Sequence, residues 1–197
     1  MHIELTEMLR CPEGHDDAFL VLATAVMKSR HVYSGMLGCP VCRHEIPVVN
    51  GVANFGALSA DRTGRADSAG ATAAQLQTLL GLSNAGGAVV LVGSAAKVAK
   101  DLGDLLGGTH VIGVNPPDGI AVSERVSLVA WGEGIPLRRN MARGVVLGAE
   151  VAHEPWLAES ARVVLKGLRV VVLGGATAVP GLQLMAKSPE AWVGQRI

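Results

Sequence analysis

Three cysteines and one nearby histidine are the residues of this chain best suited to holding a metal ion. Cys11-Pro-Glu-Gly-His15 lies near the start, and Gly38-Cys39-Pro-Val-Cys42 follows. A Cys-x-x-Cys knuckle turns two sulfurs toward one point, where thiolates make soft ligands for a tetrahedral ion. The second knuckle is well formed. The first has Gly14 where a second thiol would stand, with His15 one place on. Imidazole is an acceptable zinc ligand, so Cys11, His15, Cys39 and Cys42 form the candidate metal set, with His44 in reserve. A ribbon packed by its strands alone and a Cys39–Cys42 redox pair are the alternative readings. His2, His31 and His110 read as surface or packed histidines.

A second set of positions is marked by backbone rather than by side-chain chemistry. Ala88 to Val92 is a short apolar run, followed by Gly93 and small residues. Val98, Leu102, Leu105 and Leu106 then recur at helical spacing, and Gly107-Gly108 stops the pattern. Val111 to Val114 is the next apolar run. Strand, tight turn, helix and strand make the βαβ unit of a parallel sheet. Such sheets bind ligands outside the carboxyl ends of their strands. Any site is therefore expected near Gly93 to Lys97 and Asn115 to Pro117. Lys97 at a helix start is also a candidate for pairing with phosphate.

The elements that position these residues fall into two groups. Ala18 to Thr24, His31 to Leu37 and Glu45 to Phe55 read as extended pieces flanking the knuckles, the last turned at Asn50-Gly51. They define a small zinc-ribbon domain over residues 1–55. Residues 56–70 are rich in Ala, Ser, Gly, Asp and Arg and read as a linker. The second domain covers residues 71–197. A helix is expected over Ala71 to Leu82, strands over Val126 to Trp131 and Gly144 to Leu147, and a helix over Glu154 to Leu165. Leu168 to Leu173 is wholly apolar, as in a strand buried on both faces. Pro189 to Trp192 reads as a short terminal helix. The alternation makes the fold class α/β, with a Rossmann-like, mostly parallel sheet behind the ribbon.

Of the 197 residues, 49% are apolar, enough for a core, but only 3% are aromatic, so Ala, Val and Leu must build it. Seventeen basic residues balance seventeen acidic ones. A neutral chain lacks the broad positive field used by nucleic-acid-binding proteins. No apolar run approaches the roughly 20 residues of a membrane span. The first residues have neither a basic start nor an apolar stretch, so no signal peptide is expected. The cysteines then read as thiols or metal ligands in a cytoplasmic protein.

Two families resemble these segments. Leu9-Arg-Cys-Pro, Gly35-Met-Leu-Gly-Cys-Pro-Val-Cys42 and Glu45-Ile-Pro-Val-Val-Asn-Gly-Val-Ala-Asn-Phe55 resemble the small zinc-ribbon proteins that activate methyltransferases. Ile135-Pro-Leu137, Gly144-Val-Val-Leu147 and Ala158 to Gly174, with its Arg-Val-Val-Leu-Lys-Gly, resemble the second half of class I S-adenosylmethionine-dependent methyltransferases. The second resemblance implies a cofactor site at Gly93, Ser94, Ala95, Asn115 and Glu133. Of the family's glycine-rich turn, Gly93 is kept, Ala95 and Lys97 replace two glycines, and Leu91 replaces an acid. Asn115 stands where a carboxylate holds the ribose. Arg143-Gly144 replaces the aspartate that opens strand four. Only 23 residues follow Gly174, which implies a sheet truncated at its carboxyl end.

These departures favour a non-catalytic methyltransferase-like protein with a zinc ribbon. It would serve as a binding, scaffold or partner-activating subunit, and a protein partner or self-association is expected. The alternative is an active S-adenosylmethionine-dependent methyltransferase on a small molecule or protein, with acid-base help from Glu133, His153 or Glu154. The expected cofactors are zinc and, on the second reading, S-adenosylmethionine.

Overall fold

The computed structural model describes residues 1–13, 15, 18–56, 70–175 and 178–197. Its described residues form an eleven-stranded sheet in the order β1-β2-β3-β4-β7-β6-β5-β8-β9-β11-β10. The first four strands are β1 (Val21–Lys28), β2 (His31–Gly38), β3 (Glu45–Val49) and β4 (Val52–Asn54), joined antiparallel. Asn50 and Gly51 both take positive φ, 51° and 79°, as a two-residue hairpin requires.

The parallel centre comprises β5 (Ala88–Val92), β6 (His110–Val114), β7 (Val126–Ala130), β8 (Ala142–Leu147) and β9 (Val164–Leu173). Every residue of β5 is buried. The period-two alternation of a strand explains why all five positions must be apolar. Val89 and Leu91 face one layer with Leu76, Leu80, Leu102 and Leu106. Val90 and Val92 face the other, with Leu37, Ile46, Ile135 and Trp156.

The first layer is supplied by α1 (Ala73–Leu80) and α2 (Ala99–Leu106). Thr72 and Gln75 cap α1 reciprocally, and Gly81 ends it at φ 66°. The opposite layer combines α3 (Trp156–Val163) with the ribbon and the N-terminal segment. One apolar cluster thus runs from Leu5, Leu9, Leu37 and Ile46 into Val90, Ile112 and Val145. The ribbon also extends the sheet. Val52, Ala53 and Asn54 of β4 pair in parallel with Leu128, Val129 and Ala130 of β7, and the Phe55 N–H donates to Ala130 O at 2.8 Å. Of the linker expected over 56–70, residues 57–69 lie outside the described residues.

Two expectations at the carboxyl end are corrected. Pro189 to Trp192 is not a helix, because Trp192 belongs to a strand. β10 (Leu182–Lys187) and β11 (Ala191–Arg196) form an antiparallel hairpin, and β11 pairs antiparallel with β9. The sheet is therefore not truncated at this edge. The hairpin needs few residues, since Ser188 N–H donates to Ala191 O at 2.8 Å and closes a short turn. Trp192 is 1% exposed and joins the ribbon-side core. β9 also begins at Val164, directly after α3, rather than at Leu168.

Candidate functional site

The structure brings Cys11, His15, Cys39 and Cys42 together, with ligand atoms all within 4.8 Å of one another. Cys11 Sγ lies 3.5 Å from Cys42 Sγ, and His15 Nε2 lies 3.4 Å from both Cys42 Sγ and Cys39 Sγ. Tetrahedral zinc, with bonds of about 2.0–2.3 Å, sets ligand atoms roughly 3.5–3.8 Å apart, so three sulfurs and one imidazole nitrogen fit that ion. His44 takes no part in the cluster, because its Nδ1 faces Glu13 Oε1 at 3.2 Å. Burial pushes the Cys11 thiol up to about 12. Burial acts most strongly to raise Cys39, but the backbone N–H groups of Cys42 and Val41 together with the Cys42 and Cys11 thiols bring this thiol down to about 7.

The segment before Cys11 is stitched to the loop after β7. Arg10 N–H donates to Pro136 O at 3.1 Å, and Arg138 N–H donates to Met8 O at 2.7 Å. Glu159 of α3 accepts from Arg162 Nε at 2.6 Å, from Arg10 Nη2 at 3.3 Å and from Ile135 N–H at 3.2 Å. The knuckle, the 132–141 loop and α3 are therefore one charged, partly buried joint. Nothing in the spacing of Arg10 and Glu159, which are 149 residues apart, announces it.

The second candidate site lies at the carboxyl ends of β5 and β6. Gly93, at φ 62°, opens a 3₁₀ turn (Gly93–Val98) that leads straight into α2. Ala95 is buried in the α1/α2 layer, and Lys97 is exposed. Asn115 is turned inward. Its Oδ1 accepts from Trp131 N–H at 2.8 Å, and its Nδ2 donates to Trp131 O at 2.5 Å. The amide thus clasps the end of β6 to the residue after β7. Glu133 is exposed in the following loop. His153 Nδ1 lies 2.8 Å from Glu154 O, and Glu154 Oε2 accepts from Ala158 N–H at 3.3 Å, so both residues serve the start of α3.

Glu150 was not legible as a site residue. It follows β8 in a short 3₁₀ turn (Ala149–Val151) and reaches across to the β5 turn. Its Oε1 accepts from Ser94 N–H, and its Oε2 accepts from Ser94 Oγ at 2.7 Å. The only signal in the sequence is its place just beyond an apolar strand. Beside this contact, a cavity of about 470 Å³ is lined by Ala71, Ser94, Lys97, Leu173 and Glu190 among others.

The sheet order and the crevice define a Rossmann-like α/β fold, with a Cys/His cluster beside its antiparallel N-terminal strands. No protein-family model and no curated protein matches the chain. Solved structures do. One is a protein of an antibiotic biosynthesis pathway in Anabaena variabilis ATCC 29413, described as a methyltransferase (19% identity, TM-score 0.43, 51% of this chain and 43% of that one). The antibiotic-resistance methyltransferase Kmr is similar at 17% identity and TM-score 0.44, over 68% of this chain and 96% of that one. A third is the complex of the Haloferax volcanii Trm112 methyltransferase activator with a protein described as a methyltransferase (15% identity, TM-score 0.41, 49% of each chain). The chain spans less than half the length of the first and third. The likenesses are distant, and the fold assignment rests on strand order.

Proposed function

We propose that this protein is a non-catalytic methyltransferase-like subunit that carries its own zinc ribbon and works by binding another protein. The observation that carries the reading is the Asn115–Trp131 clasp. A ribose diol is best gripped by a carboxylate at the end of β6, and here a neutral amide stands instead, with Oδ1 and Nδ2 both turned onto the Trp131 backbone at 2.8 and 2.5 Å. Ala95 and Lys97 also stand at positions where the resembled family keeps glycines.

Zinc would be held by Cys11, His15, Cys39 and Cys42 and would supply structure rather than reaction chemistry, because four protein ligands leave it no open position. The ribbon acts in cis. Its β4 covers the β7 edge, which would otherwise present unpaired backbone groups. What the ribbon offers outward is its other face. Val26, Ser34 and Val49 form one row across β1, β2 and β3. Both valines are exposed, as is Val21, which supports a protein-binding role.

Titration of the zinc-loaded full chain with S-adenosylmethionine tests the reading. No binding at millimolar ligand is expected, together with no methyl transfer. Micromolar binding would overturn it. Capture of a defined partner that is lost on Val26→Asp, with folding retained, would support the binding role.

A further inference from the structure

The three sulfurs of the knuckle cluster do not meet solvent equally. Cys11 and Cys39 are buried, 2% and 3% exposed, whereas Cys42 is exposed. Its neighbours Pro40, Val41 and Arg43 are exposed as well. A solute arriving from water therefore reaches Cys42 first. Within the cluster Cys42 Sγ lies 3.5 Å from Cys11 Sγ, and the two residues are 31 apart in the chain. They belong to opposite knuckles. A bond between them would join the same two segments that a shared metal ion joins. A Cys39–Cys42 bond would only close the second knuckle on itself.

We propose that Cys42 is a site of oxidation by hydroperoxides, that Cys11 resolves it, and that the resulting Cys11–Cys42 disulfide takes over the cross-link made by the metal ion. The Cys42 thiolate attacks one oxygen of hydrogen peroxide, the O–O bond breaks and hydroxide leaves, which makes the sulfur a sulfenic acid. The Cys11 thiolate then attacks Cys42 Sγ, the S–O bond breaks and a second hydroxide leaves. The two sulfurs give up two electrons and the peroxide takes both. Zinc has no redox chemistry of its own and departs as the divalent ion. Cys39 and His15, the ligands left over, are too few to retain it. The sulfurs must close from 3.5 Å to about 2.05 Å, a movement that falls to the exposed turn bearing Cys42. The inference rests on the zinc reading only for the release of the ion, since the disulfide needs the thiols alone.

The test treats the zinc-loaded full chain with one equivalent of hydrogen peroxide, follows zinc with a chromogenic chelator, and maps the cysteines by alkylation and peptide mass spectrometry. Loss of the zinc is expected, with Cys11 joined to Cys42 and Cys39 alkylated. The melting temperature of the oxidised chain should not shift on adding chelator, whereas that of the reduced chain should fall. If the chain takes up no zinc, the zinc reading fails, and the same cysteine map is still expected. Cys39→Ser should still form the bond. A Cys39–Cys42 bond as the main product, Cys42 carried on to sulfinic acid with Cys11 still alkylated, or three unreacted thiols under excess peroxide would overturn the proposal.

Discussion

Asn115 and Trp131 are joined by a two-way amide bridge, with Asn115 Oδ1 taking the Trp131 N–H at 2.8 Å and Nδ2 giving a hydrogen bond to Trp131 O at 2.5 Å. Asn115 sits at φ 48°, a left-handed conformation that asparagine tolerates better than most residues. The bridge holds the ends of β6 and β7 together. Asn115→Asp removes the donor and sets a carboxylate against Trp131 O. A loss of about 1–3 kcal/mol is expected, measured by urea unfolding. An unchanged midpoint would mean that the bridge contributes nothing.

The metal cluster makes a second prediction. One zinc per chain is expected by elemental analysis, and chelation should lower the melting temperature, since a structural zinc site contributes folding energy. His15→Ala should lose the ion. His44→Ala should keep it, because His44 faces Glu13 rather than the cluster. Equal zinc content in both variants would remove His15 from the ligand set.

Acid sensitivity is expected where the ribbon meets the parallel sheet. The ring of His110 stands 5.3 Å from that of His2, which in turn stands 5.1 Å from that of His31. Ser127 Oγ lies 2.8 Å from His110 Nε2 and accepts the His2 N–H. Burial, followed by the charges of His2, His31 and the N-terminal amine, lowers His110 from the usual 6.5 to about 4, while Glu4 opposes them. A histidine depressed on folding is neutral in the native protein and charges on unfolding. Its contribution is therefore complete above about pH 6.5 and is lost as pH falls toward about 4. Discounted for partial exposure, that is on the order of 2 kcal/mol. His110→Gln should flatten the dependence of unfolding free energy on pH across that window. A slope equal to wild type would place the acid sensitivity elsewhere.

The carboxyl-terminal hairpin also makes a direct prediction. Trp192 is 1% exposed, and its large side chain fills the ribbon-side core beside β9. Trp192→Ala should cost about 3–5 kcal/mol, read by denaturant titration. Leu184→Ala, at a half-exposed position on the edge strand β10, should cost far less.

Much of this was legible in the sequence, for physical reasons. β5 is an unbroken apolar run because both of its faces are covered, and the cysteine knuckles carry their own turn chemistry. The hairpin of β10 and β11 was hidden. Leu182, Leu184 and Trp192 alternate only weakly with polar neighbours, and Pro189 falls where it mimics a helix start. The joint of Arg10, Glu159 and Arg162 and the contact of Ser94 with Glu150 join residues far apart in the chain, which no local spacing records. The fusion of ribbon and sheet through β4 and β7 is likewise a matter of register, and register is set by the folded partner.

The measurement that bears most directly on the central claim is calorimetric titration of the zinc-loaded full chain with S-adenosylmethionine. The clasped Asn115 leads us to expect no saturable heat up to millimolar ligand. A one-site isotherm with a micromolar dissociation constant would contradict the account.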